Sequence, residues 1–249
     1  MKRSKLYGLV GKNIDYSFSP KYFKEKFKKA QIKNHEYTIF DLKEIDALSG
    51  VVENPNLKGF NVTIPYKETI MPLLDKISKN AKKIGAVNTV KISKKGKTKG
   101  YNTDYYGFQK SLAPLLKEHH KKALILGTGG SSKAVAYGLK KLDIQCAFVS
   151  RDPQKTKYSY EDLTADVFNE YHIVINTTPV GTAPNIEEAP NLNYELFTAQ
   201  HIAYDLTYNP SETKFLKLAK ARGAQIKNGY EMLVLQAEKS WKIWNETQK

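Results

Sequence analysis

The sequence predicts an α/β protein in two parts, the second a parallel sheet wound with helices. Three observations predict it. From Lys121 onward, short apolar runs alternate with helical or polar stretches, the pattern of βαβ units. The first of those runs, 123–126, leads at once into Gly127-Thr128-Gly129-Gly130 and then into helical spacing. Before Asn102 the alternation is less regular and closes on a hairpin signal. The boundary therefore falls near 102–107. A chain of 249 residues is long enough for one large domain or two small ones, at ~150 residues each.

Taken in order, residues 6–11 are a short apolar run ending in glycine. Ser19-Pro20 then opens a helix, with serine as N-cap and proline at the first helical position. Phe23, Phe27 and Ala30 give that helix an apolar stripe. Residues 35–41 alternate like a strand, and Phe60, Val62 and Ile64 alternate again up to Pro65. Residues 86–92 and 98–102 flank a Lys-Lys-Gly-Lys turn and read as a hairpin. In the second part, strands are expected at 123–126, 147–149, 173–175, 202–206 and 224–226. Residues 230–244 form one helix. Its Leu233, Ala237, Trp241 and Trp244 share a face that must pack on something.

Composition narrows the classes. An apolar fraction of 41% with 10 Phe, 16 Tyr and 2 Trp describes a folded chain rather than a disordered one. No window approaches the ~18 apolar residues of a membrane span, and the N-terminal apolar run is too short for a signal-peptide core. These absences lead to the expectation of a cytoplasmic protein. A single cysteine, Cys146, fits a reducing compartment, and its apolar setting reads as core filling. The net charge of +15 draws anions of any kind. The lysines are spread along the chain, and no nucleic-acid recognition motif accompanies them, so the charge reads as a solvated basic surface. Nucleic acid and membrane are not expected partners. His119-His120 have no further ligands nearby, so no metal is expected. Ser131-Ser132 have no base at triad spacing, so nucleophilic hydrolysis is not expected either.

The glycine turn carries the first chemical signal. A strand, then Gly127, Gly129, Gly130 and Ser131, then a helix is the setting of a dinucleotide site. There glycines let the backbone approach a pyrophosphate seated on the helix N-terminus. The match to G-x-G-x-x-G is incomplete, because Ser132 stands at the third glycine. The second strand ends in Val149-Ser150-Arg151-Asp152, with Lys155 following. Arg151 can grip a ribose 2′-phosphate through its planar fork, which favours NADP over NAD. Asp152 leaves an alternative open, since a carboxylate there can repel a phosphate or bind the ribose.

Polar residues in the first part interrupt the apolar pattern. Ser17 and Ser19 stand together before a helix, Asn61 and Thr63 on one face of a strand, and Lys67 just beyond it. Asn88-Thr89 interrupts another strand, and Asp104 follows Asn102-Thr103 at the boundary, where it could be an N-cap. Hydride transfer to a carbonyl needs an acid near the reacting oxygen, and a lysine ammonium can serve.

Eight motifs in order resemble the shikimate dehydrogenase family over nearly the full length. They are Ser17-Phe18-Ser19-Pro20, Asn61-Val62-Thr63-Ile64-Pro65-Tyr66-Lys67, Gly85-Ala86-Val87-Asn88-Thr89, Gly100-Tyr101-Asn102-Thr103-Asp104-Tyr105-Tyr106-Gly107, the glycine turn, Asn176-Thr177-Thr178-Pro179-Val180-Gly181, Asp205-Leu206-Thr207-Tyr208-Asn209-Pro210, and the start of the last helix from Gly229 to Ala237. The resemblance implies an N-terminal α/β substrate-binding domain, 1–104, completed by a C-terminal helix, 230–249. It also implies a Rossmann-type NADP-binding domain, 105–229, with a parallel sheet. The implied reaction is the NADPH-dependent reduction of 3-dehydroshikimate to shikimate in aromatic amino-acid biosynthesis; the alternative is a quinate/shikimate dehydrogenase using NAD. The resemblance gives Lys67 and Asp104 the proton, Ser17 and Ser19 the substrate carboxylate with Tyr208 near it, and Asn61, Thr63, Asn88, Asp104 and Gln236 the ring hydroxyls. The cofactor residues it implies are Gly127, Gly129, Gly130, Ser131, Ser150, Arg151, Lys155, Thr177, Leu206 and Gly229. A monomer or homodimer is expected. The chain departs from the family at Asp152, where threonine is usual, and at Thr182, where methionine is usual.

Overall fold

The computed structural model describes residues 4–15, 17–152, 154 and 156–246, and the chain forms two units. Unit 1 is Met1–Thr103 with Gln236–Lys249, and unit 2 is Asp104–Leu235.

In chain order unit 1 holds β1 (Lys5–Gly11), α1 (Phe18–Lys29), β2 (His35–Asp41), α2 (Leu48–Val52), β3 (Leu57–Val62), β4 (Lys76–Ile77), α3 (Lys79–Ile84), β5 (Thr89–Ile92) and β6 (Thr98–Tyr101). The strands make one six-stranded sheet in the order β2-β1-β3-β5-β6-β4. β1 lies parallel to both neighbours, β2 and β3. With a strand on each side and cover on both faces, its last five residues are all buried. β2 lies at the edge and alternates in exposure, as its sequence does. β5 and β6 form the expected hairpin, antiparallel, with Gly96 at its tip at φ +74°, where glycine costs nothing.

The structure corrects the start of α1. Ser17, not Ser19, is the N-cap, in extended backbone at φ −69° and ψ 145°. The helix begins at Phe18, and Ser19 is buried in its first turn. Pro20 is still tolerated, because the N–H groups of a first turn have no intrahelical acceptor. The strand through Asn61 is likewise shorter than its alternation suggests. β3 ends at Val62, so Thr63 lies beyond it, and Ile64 is 66% exposed rather than core. β5 begins at Thr89, which leaves Asn88 at its entry rather than within it.

Unit 2 holds α4 (Asp104–Leu112), β7 (Lys122–Leu126), α5 (Gly130–Lys140), β8 (Gln145–Val149), α6 (Ala165–Glu170), β9 (Ile173–Asn176), β10 (Ile202–Asp205), α7 (Lys214–Ala221) and β11 (Gln225–Lys227). Its five strands are parallel throughout and run in the order β11-β10-β9-β7-β8. Asp104 is the first residue of α4, in its acidic first turn. Leu124, Leu126, Val174 and Phe215 fill the core on one side of the sheet, and Phe108, Ile125, Val135 and Ile175 that on the other. Cys146 is half-buried beside the second of these clusters, and burial pushes its thiol up from the ordinary range.

The last helix, α8 (Tyr230–Asn245), is single, and the division between the units falls within it, at Leu235/Gln236. In unit 1 its Ala237 and Trp244 join Tyr7, Phe23 and Phe27 in an aromatic core, with Trp241 packed against it. Trp244 Nε1 donates to Val90 O at 2.9 Å. A β-carbon at Gly59 would stand 2.3 Å from that nitrogen, so only glycine lets the indole lie on the sheet there. Lys91, buried, reaches the end of α8 and donates to the carbonyls of Ile243 at 2.8 Å and Glu246 at 2.5 Å. A cation at a helix C-terminus meets the negative end of the macrodipole and satisfies carbonyls the helix leaves over.

Candidate active site

Four of the residues expected to hold substrate meet in unit 1, although they come from positions 19, 61, 88 and 236. Asn61 projects from β3 and is 4% exposed, and Asn88 stands at the entry to β5. The orientation of each amide follows from a backbone group with only one role. Thr103 N–H can only donate and lies 2.7 Å from Asn88, so Asn88 Oδ1 faces it. The Asn88 carbonyl can only accept and lies 3.2 Å from Asn61, so Asn61 Nδ2 faces that carbonyl. The Asn61 Oδ1 then accepts from the Tyr37 hydroxyl at 2.8 Å. Ser19 lies beside that hydroxyl. Burial pushes the Tyr37 hydroxyl far above the ordinary phenol range, so it remains a donor. Asn88 Nδ2 in turn donates to Thr103 Oγ1 at 2.9 Å and approaches Gln236 Oε1 at 3.4 Å.

The remaining expected residues of unit 1 lie near this group along the chain. Ser17 caps α1, half-buried. Thr63 N–H donates to Val10 O at 2.9 Å, and a β-carbon at Gly11 would stand 2.7 Å from Thr63 Cγ2. Lys67 is half-buried in the turn after Pro65, and its carbonyl accepts from Val87 N–H at 2.7 Å, one residue before Asn88. Tyr37 and Ser240 lie inside the network although sequence reasoning missed both. For Ser240 a signal existed: it follows Gln236 by four residues, so the two share a helix face.

In unit 2 the expected cofactor residues line up along the carboxyl ends of the strands. The chain leaves β7 toward β8 on one side and returns to β9 on the other, the switch point at which open parallel sheets bind ligands. Gly127, at φ +100°, leaves β7 and donates to Val149 O at 2.9 Å. Thr177 Oγ1, past β9, donates to Leu126 O at 2.6 Å, which ties the two strand ends together. Leu206 follows β10, and Gly229 crosses it so closely that a β-carbon would stand 2.0 Å from Leu206 O. Asp205 holds this rim. Its carboxylate accepts from Asn176 Nδ2 at 3.1 Å, Thr207 N–H at 2.9 Å and Thr213 Oγ1 at 2.6 Å. Burial raises its carboxyl above the usual range, against those three bonds. Tyr208 is half-buried two residues past Leu206, and Asp104 is buried at the start of α4.

The turn fits a dinucleotide phosphate. Gly129 has an ordinary φ of −74°, and beyond its immediate neighbours in the chain no described atom lies within 4 Å of where its β-carbon would be. Neither backbone strain nor packing by the chain's own atoms requires glycine there. What glycine leaves is clear backbone before the first turn of α5, where Gly130 and Ser131 begin the helix and no acidic residue stands. Ser132 Oγ donates back to Gly129 O at 2.6 Å, which stiffens the turn in place of the missing third glycine. After β8, Ser150 Oγ accepts from Asp152 N–H at 3.1 Å, and Asp152 Oδ1 accepts from Gln154 N–H at 3.1 Å. Arg151 is exposed, whereas Lys155 lies outside the described residues. Among the described residues no group of three or more His, Cys, Asp or Glu is placed to hold a metal, and no helix is long and apolar enough to cross a membrane.

The chain is similar to known proteins along nearly all its length. Residues 9–90 match the family model described as the shikimate dehydrogenase substrate binding domain. A shikimate dehydrogenase (NADP(+)) of Clostridium botulinum is 41% identical over an alignment that covers 95% of each chain. The crystal structure of shikimate dehydrogenase from Aquifex aeolicus superposes with a TM-score of 0.85 at 37% identity, covering 99% of this chain and 94% of that one. A quinate dehydrogenase from Corynebacterium glutamicum in complex with NAD gives 0.87 at 28% identity, over 98% and 94%. An N-terminal substrate-binding domain followed by a Rossmann-type parallel sheet, together with identity at this level over the whole length, places the chain in the shikimate dehydrogenase family.

Proposed function

We propose that this protein is an NADP-dependent shikimate dehydrogenase, reversibly reducing 3-dehydroshikimate to shikimate. The observation that carries the reading is the bonded group of Asn61, Asn88 and Gln236, with Ser19 beside its Tyr37, residues far apart in sequence that the family's motifs assign to one small hydroxylated acid. When bound, NADPH supplies the hydride for the carbonyl carbon C3. Lys67 Nζ gives a proton to the C3 oxygen and takes it back in the reverse direction, with Asp104 as its carboxylate partner. The Ser17 and Ser19 hydroxyls hold the substrate carboxylate with Tyr208 beside it. Asn61, Thr63, Asn88 and Gln236 hold the ring hydroxyls. The residues suited to the cofactor are Gly127, Gly129, Gly130 and Ser131 for the pyrophosphate, Ser150, Arg151 and Lys155 for the 2′-phosphate, and Thr177, Leu206 and Gly229 along the rim. The reading places the enzyme in the cytoplasm, as a monomer or homodimer.

A second reading, a quinate/shikimate dehydrogenase using NAD, draws support from Asp152, an acid beside the 2′-phosphate position, and from the likeness to the quinate dehydrogenase. One assay separates them: initial rates with shikimate and quinate, each with NADP+ and NAD+. Shikimate with NADP+ is expected to be the preferred pair. Faster turnover of quinate with NAD+ selects the second reading, and no oxidation in any of the four overturns both.

A further inference from the structure

Behind the two asparagines lies a closed group of three hydroxyls. Thr89 Oγ1, Thr103 Oγ1 and Ser240 Oγ are separated by 2.8 Å (89 to 240), 3.1 Å (103 to 240) and 3.2 Å (89 to 103). All three residues are 0% exposed. They come from β5, from the segment after β6 and from α8, and nothing in the fold requires a polar cluster there: an apolar trio would pack the same space without desolvating three hydroxyls. Each member touches the amides instead. Asn61 Nδ2 donates to Ser240 Oγ at 3.0 Å and lies 3.2 Å from Thr89 Oγ1. Thr89 Oγ1 donates to Asn88 Oδ1 at 3.0 Å. Thr103 Oγ1 accepts from Asn88 Nδ2 and lies 3.4 Å from Gln236 Oε1, while Ser240 Oγ donates to the main-chain carbonyl of Gln236 at 2.9 Å.

We propose that Thr89, Thr103 and Ser240 are positioning residues for substrate recognition, a buried hydroxyl triad that fixes the side-chain amides of Asn61, Asn88 and Gln236 in the orientation a polyol requires. The inference rests on the functional reading above and extends it to residues that need not touch substrate. An amide presents a donor on one side and an acceptor on the other, and a flipped amide offers a ring hydroxyl the wrong partner. The triad works from behind, holding Asn61 by its nitrogen side and Asn88 from both sides. Two of its three protons are directed outward, from Thr89 to Asn88 Oδ1 and from Ser240 to the Gln236 main-chain carbonyl, so the cluster has a fixed sense. Ser240 is the hub, being within 3.1 Å of Asn61, Thr89 and Thr103 and bonded to the main chain of Gln236 as well.

The test is steady-state kinetics on Ser240→Ala and Thr89→Val. The first keeps the helix, and the second keeps the shape of the side chain while removing only the hydroxyl. Each variant is expected to raise KM for shikimate about 3- to 10-fold, the worth of one neutral hydrogen bond, with kcat changed less than about 2-fold. KM for NADP+ should stay at the wild-type value, which a general loosening of the protein would not leave untouched. Folded variants that keep the wild-type KM for shikimate overturn the triad while leaving the enzyme assignment standing. A parallel rise in both KM values overturns it too. A wild-type protein that oxidises neither shikimate nor quinate removes the functional reading and the triad with it.

Discussion

Trp244 gives the sharpest test of how unit 1 is closed. Its indole is 6% exposed, lies within 4.8 Å and 5.4 Å of the Tyr7 and Phe23 ring centroids, and donates to Val90 O. Replacing it by alanine returns ~200 Å² of apolar surface to the balance, an upper bound of ~5 kcal/mol at ~25 cal/mol/Å². The cavity left is floored by Gly59, which has no side chain to fill it, so relaxation recovers little. The expected loss for Trp244→Ala is therefore ~4 kcal/mol, within the ~3–5 kcal/mol typical of buried aromatic truncations. Trp244→Phe keeps most of the packing and removes the indole's hydrogen bond to Val90 O, so it should cost ~1–2 kcal/mol. Urea unfolding followed by far-UV circular dichroism measures both. Because α8 also carries Gln236 and Ser240, KM for shikimate should rise in the alanine variant. A loss under ~1 kcal/mol for Trp244→Ala would refute the claim that this indole closes the unit.

Three further outcomes are expected. Lys67→Ala should lower turnover roughly 10²–10⁴-fold with NADP+ binding intact, as removal of a general acid–base group does; turnover at the wild-type rate removes the assigned role. Asp152→Asn keeps the acceptor for Gln154 N–H and removes a negative charge beside the expected 2′-phosphate. It should therefore raise the preference for NADP+ over NAD+ in kcat/KM by about 5-fold, and an unchanged ratio would clear Asp152 of any part in selectivity. Burial holds the imidazoles of His120 and His201 below the ordinary range, and charge on His119 or His172 pushes in the same direction. As pH falls through ~6.5 the unfolded chain binds protons that these folded side chains refuse. Stability then declines toward their depressed values with a slope of up to ~2.7 kcal/mol per pH unit. The urea midpoint should drop between pH 7.5 and 5.5 and drop less in His201→Gln; equal drops would sink the assignment.

What was legible in the sequence was local. The hairpin of β5 and β6, the edge strand β2 and the strand–turn–helix at 127–130 follow from periodicity and glycine placement within a dozen residues. What was not legible depended on distant partners. Ser17 and Ser19 both suit a helix cap; Ser17 takes the N-cap position without a side-chain capping bond, and Ser19 is buried in the first turn. The alternation of Phe60, Val62 and Ile64 outruns β3 because its pairing stops at Asn61 on the β5 side and at Val62 on the β1 side. The buried network was half legible. Asn61 and Asn88 stand out as polar residues in apolar runs, whereas Tyr37 looks like any strand aromatic until its hydroxyl finds Asn61.

Unit 1 is assembled from two segments that flank unit 2 in the chain, whereas unit 2 is continuous. During synthesis the ribosome delivers all of unit 2 before the segment bearing Gln236, Ser240 and Trp244 is released. The N-terminal sheet must therefore wait with Tyr7, Phe23 and the glycine floor uncovered, and in that interval it is a natural client for holdase chaperones. A nascent chain stalled short of residue 236 should present that sheet to protease while the later-made half already resists.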